Sequence, residues 1–147
     1  MAPIVLMTQP VYIAILAKLT WPPEKGGLLI GPKDHEAVTH FHLDDSGEAT
    51  DASFTFDHAA LNDALKGYVA AGLDCKGYVH VHPPGCDRPS YGDLAAVRAL
   101  FAKQKNGGLH RFLLPIIASG QLHPFVIERQ DLANGGDCAR YGKLVLF

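Results

Sequence analysis

Cysteine is scarce in this chain, and its few cysteines do not have the spacing of a metal site. Cys75, Cys86 and Cys138 are the only three among 147 residues. An odd count without a CxxC pair argues against a disulfide framework and against a thiolate zinc knuckle. We therefore expect a protein of the reducing cytoplasm.

Long apolar runs and basic blocks are lacking as well. The apolar stretch from Val11 to Ala17 is far shorter than the ~20 residues that span a bilayer. The formal net charge is -2, and the lysines and arginines are spread along the chain, without the cluster that grips a phosphate backbone. We expect a soluble protein that binds neither membranes nor nucleic acid.

The length and composition fit one ordinary globular domain. A chain of 147 residues with 48% hydrophobic content can bury a core without disulfide support. We find no internal repeat, no low-complexity tract and no linker, so residues 1–147 are expected to form one domain.

The hydrophobic pattern predicts strands and helices in mixed order. Thr8, Asp57 and Ser90 are suited to cap helices, and Gly72 is suited to end one. The expected helices cover residues 11–19, 58–71 and about 90–106, with loops at 44–51 and 83–89. The expected strands cover residues 3–7, 24–31, 36–43, 75–82, 111–118, 123–128 and 141–147.

The richest motif is His80-Val81-His82-Pro83, which ends one of these strands. Residues i and i+2 of a strand face the same side, so both imidazoles can reach one ion. Asp93, one turn into the next helix, can supply a third ligand. Three protein ligands with one open position are typical of a catalytic zinc site.

Chance explains the histidine pair alone, but it does not explain the whole motif. A His-x-His pair should arise roughly 0.4 times in a chain of this composition, and His40-Phe41-His42 is such a pair without a following proline or carboxylate. Requiring Ser90 and Asp93 at their spacings lowers the chance expectation below about one in a thousand. Ser90-x-x-Asp93 is also a capping box, and a cap would hold the carboxylate in place.

If such a zinc site hydrolyses peptides, it needs, besides the metal ligands, a group that moves a proton from water to the leaving amine. Glu24 is a candidate because it stands at the mouth of an apolar strand, beside the small Gly26-Gly27 pair. The spacing alone does not distinguish a catalytic Glu24 from an ordinary surface glutamate. Nothing in the spacing makes Cys86 a ligand or a nucleophile.

Together these residues resemble the JAMM metalloproteases, also called JAB or MPN-plus domains. The resemblance implies an α+β (mixed α/β) domain with a central mixed β-sheet flanked by helices, similar to the cytidine-deaminase arrangement. It implies that His80, His82 and Asp93 bind Zn2+, that Glu24 is the acid/base and that Ser90 helps to stabilise the oxyanion. Between the histidines the family often has serine, whereas this chain has Val81, whose side chain should point away from the metal.

The short segments around the motif are similar to compact bacterial members of the family, many of which accompany E1-like and E2-like proteins in conjugation systems, some of them antiviral. The resemblance implies cleavage after the C-terminal glycine of a ubiquitin-like protein, for maturation or deconjugation. Processing of a sulfur-carrier protein remains an alternative, and so does a non-catalytic MPN interaction scaffold. A cytidine deaminase is disfavoured because its H-x-E and P-C-x-x-C motifs are missing.

Overall fold

The computed structural model describes residues 1–45, 48–49, 54–55 and 58–147. Three α-helices are present in these ranges: α1 (Gln9–Lys18), α2 (His58–Ala70) and α3 (Tyr91–Ala102). Short 3-10 helices cover Gln104–Asn106 and Arg129–Asp137. The strands are β1 (Ile4–Met7), β2 (Gly26–Pro32), β3 (Ala37–Val38), β4 (His40–Asp44), β5 (Glu48–Ala49), β6 (Phe54–Thr55), β7 (Leu73–Val81), β8 (Arg111–Leu113), β9 (Ile116–Ala118), β10 (Gln121–His123), β11 (Phe125–Glu128), β12 (Ala139–Tyr141) and β13 (Lys143–Leu146).

The main sheet is mixed, and β7 is its central strand. On one side β7 pairs antiparallel with β2, which in turn pairs with β4. On the other side it pairs in parallel with β8 and β9, which pair antiparallel with β11 and β10. A small parallel sheet in the order β13-β1-β3 accompanies it. The mixed sheet flanked by helices confirms the fold class expected from the sequence.

The two faces of β7 have different partners, which divides the molecule into layers. Val79 and Val81 point into a core built with α1 and β1. Tyr78 points the other way, into a cluster with α3. Because side chains alternate along a strand, His80 lies on the same face as Tyr78, and Val81 points away from it as expected.

The helix caps follow the sequence. The Thr8 side chain accepts a hydrogen bond from the Val11 backbone N–H at the start of α1. α2 ends at Ala70, and Gly72 has a φ of +85°, a left-handed conformation that glycine adopts without strain. The predicted cap Asp57 lies outside the described residues.

Two predicted strands are interrupted in the structure. Residues 36–43 were expected to form one strand, but β3 joins the small sheet and β4 joins the main sheet. The chain changes sheets at Thr39, whose backbone N–H donates to the carbonyl of Ile30. Likewise Pro115 separates β8 from β9, because proline has no N–H to donate to a neighbouring strand.

The carboxyl-terminal predictions were also too coarse. α3 ends at Ala102 rather than near Asn106, and a 3-10 turn follows it. The expected strand at 123–128 is divided into β10 and β11, and that at 141–147 into β12 and β13. Pro124 lies at the first break, and the carbonyls of Pro3 and Pro124 approach Gly142 so closely at the second that a side chain would crowd them.

No helix in the described part of the chain is long and apolar enough to cross a membrane.

Close packing of β7 against β8 depends on Gly77. A Cβ at Gly77 would overlap the carbonyl oxygen of Leu113, whereas a Cβ at Gly67 in α2 meets nothing within 4 Å. We predict that Gly77→Ala lowers the free energy of unfolding by about 1–3 kcal/mol or more, because the strands must separate. Gly67→Ala should raise it by about 0.5–1 kcal/mol, because alanine is the better helix former.

Urea denaturation of the two variants measures both effects. Equal stability of Gly77→Ala and the parent would show that β7 and β8 are not packed as described.

Candidate metal centre

The candidate site lies where β7 ends against the segment that leads into β2. Gly26 pairs with His80, and the Val81 backbone N–H donates to the carbonyl of Lys25 at 2.9 Å. These contacts bring Glu24, two residues before β2, alongside the two histidines. Glu24, His80 and His82 are each only 5% exposed, so three ionisable side chains share a largely buried space.

The imidazole nitrogens converge. Nε2 of His80 lies 2.7 Å from Nε2 of His82. Two unprotonated imidazoles cannot direct their lone pairs at each other over this distance without a cation or a proton between them. The distance therefore requires either a proton shared between the two nitrogens or a metal ion beside them.

Asp93 lies against both rings. Its two carboxylate oxygens are 3.1 Å from Nε2 of His80 and 3.3 Å from Nε2 of His82. The ligands of a tetrahedral zinc ion, with bonds of about 2.0–2.1 Å, are about 3.3 Å apart. Two imidazoles and a carboxylate are a normal zinc donor set. The two Asp93 distances fit this spacing, whereas the two imidazole nitrogens lie closer together.

Glu24 stands slightly farther out. Its carboxylate oxygen is 4.0 Å from Nε2 of His82, and one donor atom from each of Glu24, His80 and His82 lies within 4.8 Å of the others. This arrangement brings together all four residues that the sequence nominated for metal binding and proton transfer. The distances place Asp93 nearer than Glu24 to His82.

Asp93 is held by the start of α3. The Ser90 hydroxyl accepts from the Asp93 backbone N–H at 3.1 Å, and the Ser90 backbone N–H donates to the Asp93 carboxylate at 2.7 Å. This reciprocal pair is the capping box predicted from the sequence. The cap therefore also orients the carboxylate toward the histidines.

His82 is oriented by the loop that follows β7. Its Nδ1 lies 2.9 Å from the backbone carbonyl of Cys86, so Nδ1 carries the proton and Nε2 presents its lone pair to the site. The Cys86 backbone N–H in turn donates to the carbonyl of Pro83, and Gly85 has a φ of +86°. With Pro84 before Gly85, this is the sequence of a type II turn.

The role of the Cys86 carbonyl was not foreseen, although Pro83-Pro84-Gly85-Cys86 carried the signal for the turn. The thiol of Cys86 is exposed, and all three cysteines are unpaired. Nδ1 of His80, by contrast, is buried without a hydrogen-bond partner among the described residues. Packing and Asp93, rather than an outer hydrogen bond, therefore set the orientation of His80.

Burial and the neighbouring charges shift the acidity of the site. Burial raises the pKa of the Glu24 carboxyl, and the nearby histidines only partly offset this. Burial also opposes ionisation of Asp93, but hydrogen bonds with His80 and His82 hold its pKa well below the usual range. For His82, burial lowers the pKa, yet the Asp93 carboxylate outweighs it and the net pKa is raised. The pKa values of the two carboxyls are thus shifted in opposite directions. The shift of Glu24 suits a group that carries a proton, and that of Asp93 suits a group that stays ionised.

The second His-x-His pair has different surroundings. His40 contacts the hydroxyl of Thr39 at 2.8 Å, and His42 lies 3.4 Å from the hydroxyl of Tyr68. Within the described part of the chain, neither belongs to a group of three side chains that could hold a metal. This pair is a matched control for the candidate site.

The comparisons with known proteins show the family of this chain. Residues 9–132 match the family described as prokaryotic homologs of the JAB domain. The chain belongs to this family. Among curated proteins, none matches the chain.

Two solved structures share the fold. A Desulfitobacterium hafniense protein solved in solution has 21% sequence identity and a TM-score of 0.70, covering 98% of this chain and 92% of its own. A JAB1/MPN domain protein from Archaeoglobus fulgidus, solved by crystallography, has 16% identity and a TM-score of 0.50 and covers 97% of this chain and 98% of its own. At these identities the similarity shows the fold alone.

The site predicts the number of bound metal ions. We expect one zinc ion per chain, and we expect His80→Ala and His82→Ala each to bind much less than one because they remove a donor from a three-donor set. His42→Ala should retain one ion. Elemental analysis after dialysis against trace zinc measures the stoichiometry, and loss of zinc in His42→Ala but not in His80→Ala would place the site elsewhere.

The turn at Gly85 predicts a separate effect on affinity. Gly85 and Gly120 both have positive φ, +86° and +73°, with nothing within 4 Å of a Cβ. Alanine should therefore strain both backbones similarly, by about 1 kcal/mol. Only Gly85→Ala should disturb the Cys86 carbonyl, and we expect it to weaken zinc binding by about 10-fold or more.

Competition with a fluorescent zinc chelator measures the two affinities. Equal zinc affinity in Gly85→Ala and Gly120→Ala, at equal loss of stability, would mean that the turn does not hold His82.

Proposed function

We propose that this chain is a zinc-dependent peptidase or isopeptidase, acting as one catalytic domain over residues 1–147. Its substrate is a ubiquitin-like protein, which it cleaves after the C-terminal glycine. The single observation that carries the proposal is the position of the Glu24 carboxylate, buried and 4.0 Å from the nitrogen of His82 at which a metal would bind. A buried carboxylate beside the donor atoms is where a general acid/base would have to stand.

His80, His82 and Asp93 are the residues that would hold the ion. When bound, Zn2+ supplies a Lewis acid that polarises a carbonyl and acidifies water. Asp93 is suited to be a ligand because its low pKa keeps it ionised.

Glu24 moves the proton. As the oxygen of a water molecule attacks the scissile carbonyl carbon, the Glu24 carboxylate takes one proton from that water. It then gives this proton to the amine nitrogen as the C–N bond breaks, which leaves a carboxylic acid and an amine. The raised pKa of Glu24 supports this role, because a general base works best when its pKa approaches the working pH.

Ser90 can assist at the carbonyl oxygen. Its Oγ already accepts the Asp93 backbone N–H, so its own hydroxyl proton is free to be donated. A hydroxyl aimed at the developing oxyanion stabilises the transition state more than the substrate. Ser90 is exposed, as a residue that contacts a substrate must be.

The substrate class rests on the resemblance to JAMM metalloproteases and on membership of the JAB family. A glycine-ending tail has no side chains for the site to accommodate. Sulfur-carrier proteins also end in glycines and form the alternative substrate. The expected partners of a deconjugating enzyme are E1-like and E2-like proteins encoded beside it.

Substitution of Glu24 tests the chemistry directly. With a ubiquitin-like protein fused through its terminal glycine to a reporter, we expect chelator-sensitive cleavage at that glycine. Glu24→Gln should lower kcat by about 10²- to 10⁴-fold, because it cannot carry the proton, while still binding zinc. Ser90→Gly should lower kcat by about 10²-fold with little loss of stability, because glycine is a tolerated N-cap.

Mass spectrometry of the products identifies the cleaved bond, and the bound zinc is measured in the same samples. Full activity of Glu24→Gln would overturn the mechanism. Zinc binding without cleavage of any ubiquitin-like or sulfur-carrier fusion would favour the interaction scaffold.

A further inference from the structure

A large cleft lies between α2 and α3, away from the metal centre. Its volume is about 810 Å³, within the range of about 300–1,000 Å³ that small-molecule sites occupy. One wall is formed by residues of α2 and the other by residues of α3. The walls contribute His58, Leu61, Asn62 and Leu65 from α2 and Ala96, Ala99, Leu100 and Lys103 from α3.

The floor of the cleft is apolar and uncharged. Leu28, Leu61 and Phe112 are among its buried residues, and the Tyr78 and Phe112 rings meet edge to face at 5.0 Å. Burial raises the pKa of Cys75 and that of Tyr78 to about 12 each. The floor therefore carries no charge at neutral pH and suits the apolar body of a ligand.

Positive charge is concentrated at one end of the cleft. β2 ends where β7 begins, since Pro32 pairs with Leu73, and the pairing of Gly77 with Leu113 puts Arg111 level with Cys75. Lys103 and Lys105 lie in the segment that leads from α3 to Arg111, so basic side chains from several elements gather at this end. These are Lys33, Lys76, Lys103, Lys105 and Arg111, all of which line the cleft.

The acidic residues at this end do not cancel that charge. Glu36 is paired with Arg111 at 3.3 Å, and Asp74 accepts a backbone hydrogen bond from Cys75. With Arg111 and Glu36 paired, the four lysines of the cleft outnumber its one other carboxylate, Asp74. The formal net charge of the chain, by contrast, is -2. The cleft thus has a polarity opposite to that of the chain as a whole.

We propose that this cleft binds a small organic anion with an apolar body, such as a medium-chain carboxylate, whose charged group meets the lysines. The apolar chain would lie on Leu65, Leu100 and Leu109, which line the cleft and are half-buried. This site is independent of the metal centre and of the proposed peptidase activity. Its occupant differs from a peptide substrate in size and in carrying a single terminal charge.

Dye displacement and chemical-shift mapping test the proposal. The zinc-loaded protein is titrated with anilinonaphthalene sulfonate, and the dye is then displaced with decanoate or, as the matched cation, decyltrimethylammonium. We expect one dye per chain, displaced by decanoate but not by the cation. Backbone amide shifts on adding decanoate should change at Leu65, Ala99 and Leu109.

Two variants and a control locate the effect. Ala99→Trp should abolish decanoate binding by filling the cleft. Lys103→Glu with Lys105→Glu should weaken it by about tenfold or more, because both charges at the mouth are reversed. Lys18→Glu with Lys143→Glu makes the same charge change on α1 and β13 and should change the affinity less than about twofold.

Each other result would overturn the proposal. Equal effects of the two double variants would mean that net charge alone attracts the anion. Shifts confined to His80 and Asp93 would mean that the carboxylate binds at the metal centre. Stronger displacement by an acidic, apolar peptide than by decanoate would make the cleft a peptide groove.

Discussion

The candidate site depends on the shared proton or metal ion that must join two buried imidazole nitrogens at hydrogen-bond distance. His80 lies in β7 and His82 directly follows it, and their Nε2 atoms lie 2.7 Å apart with Asp93 against both. Such a cluster of lone pairs and negative charge is costly to bury unless a cation joins it. A metal ion held by these side chains would offset that cost, and the Glu24 carboxylate lies beside them.

The scaffold supplies the orientation of these side chains with backbone groups. The N-terminal cap of α3 holds Asp93, the turn at Gly85 places a carbonyl on Nδ1 of His82, and the Lys25 carbonyl joins the Glu24 segment to β7. Each of these contacts also stabilises the fold itself. Together they bring the side chains to one place, where burial raises the pKa of Glu24 and hydrogen bonds with the histidines lower that of Asp93.

Much of this could be predicted from the sequence, because the relevant signals are local. The period-2 spacing of His80 and His82, the capping box from Ser90 to Asp93, and the stop at Gly72 each depend on neighbouring residues. The sheet change at Thr39 and the division of the last strands could not be predicted, because they depend on which distant strand each segment pairs with. Glu24 is intermediate: its position before β2 was visible, but its burial beside His82 required the pairing of Gly26 with His80.

The central claim is a division of labour between two carboxylates around one ion. Anomalous diffraction at the zinc edge, from crystals of the zinc-loaded protein, tests it most directly. The account predicts one peak bonded to Nε2 of His80, Nε2 of His82 and the Asp93 carboxylate, with Glu24 outside bonding distance and one position left to solvent. A peak bonded to Glu24 in place of Asp93, or an ion whose every position is filled by a protein atom, would contradict it.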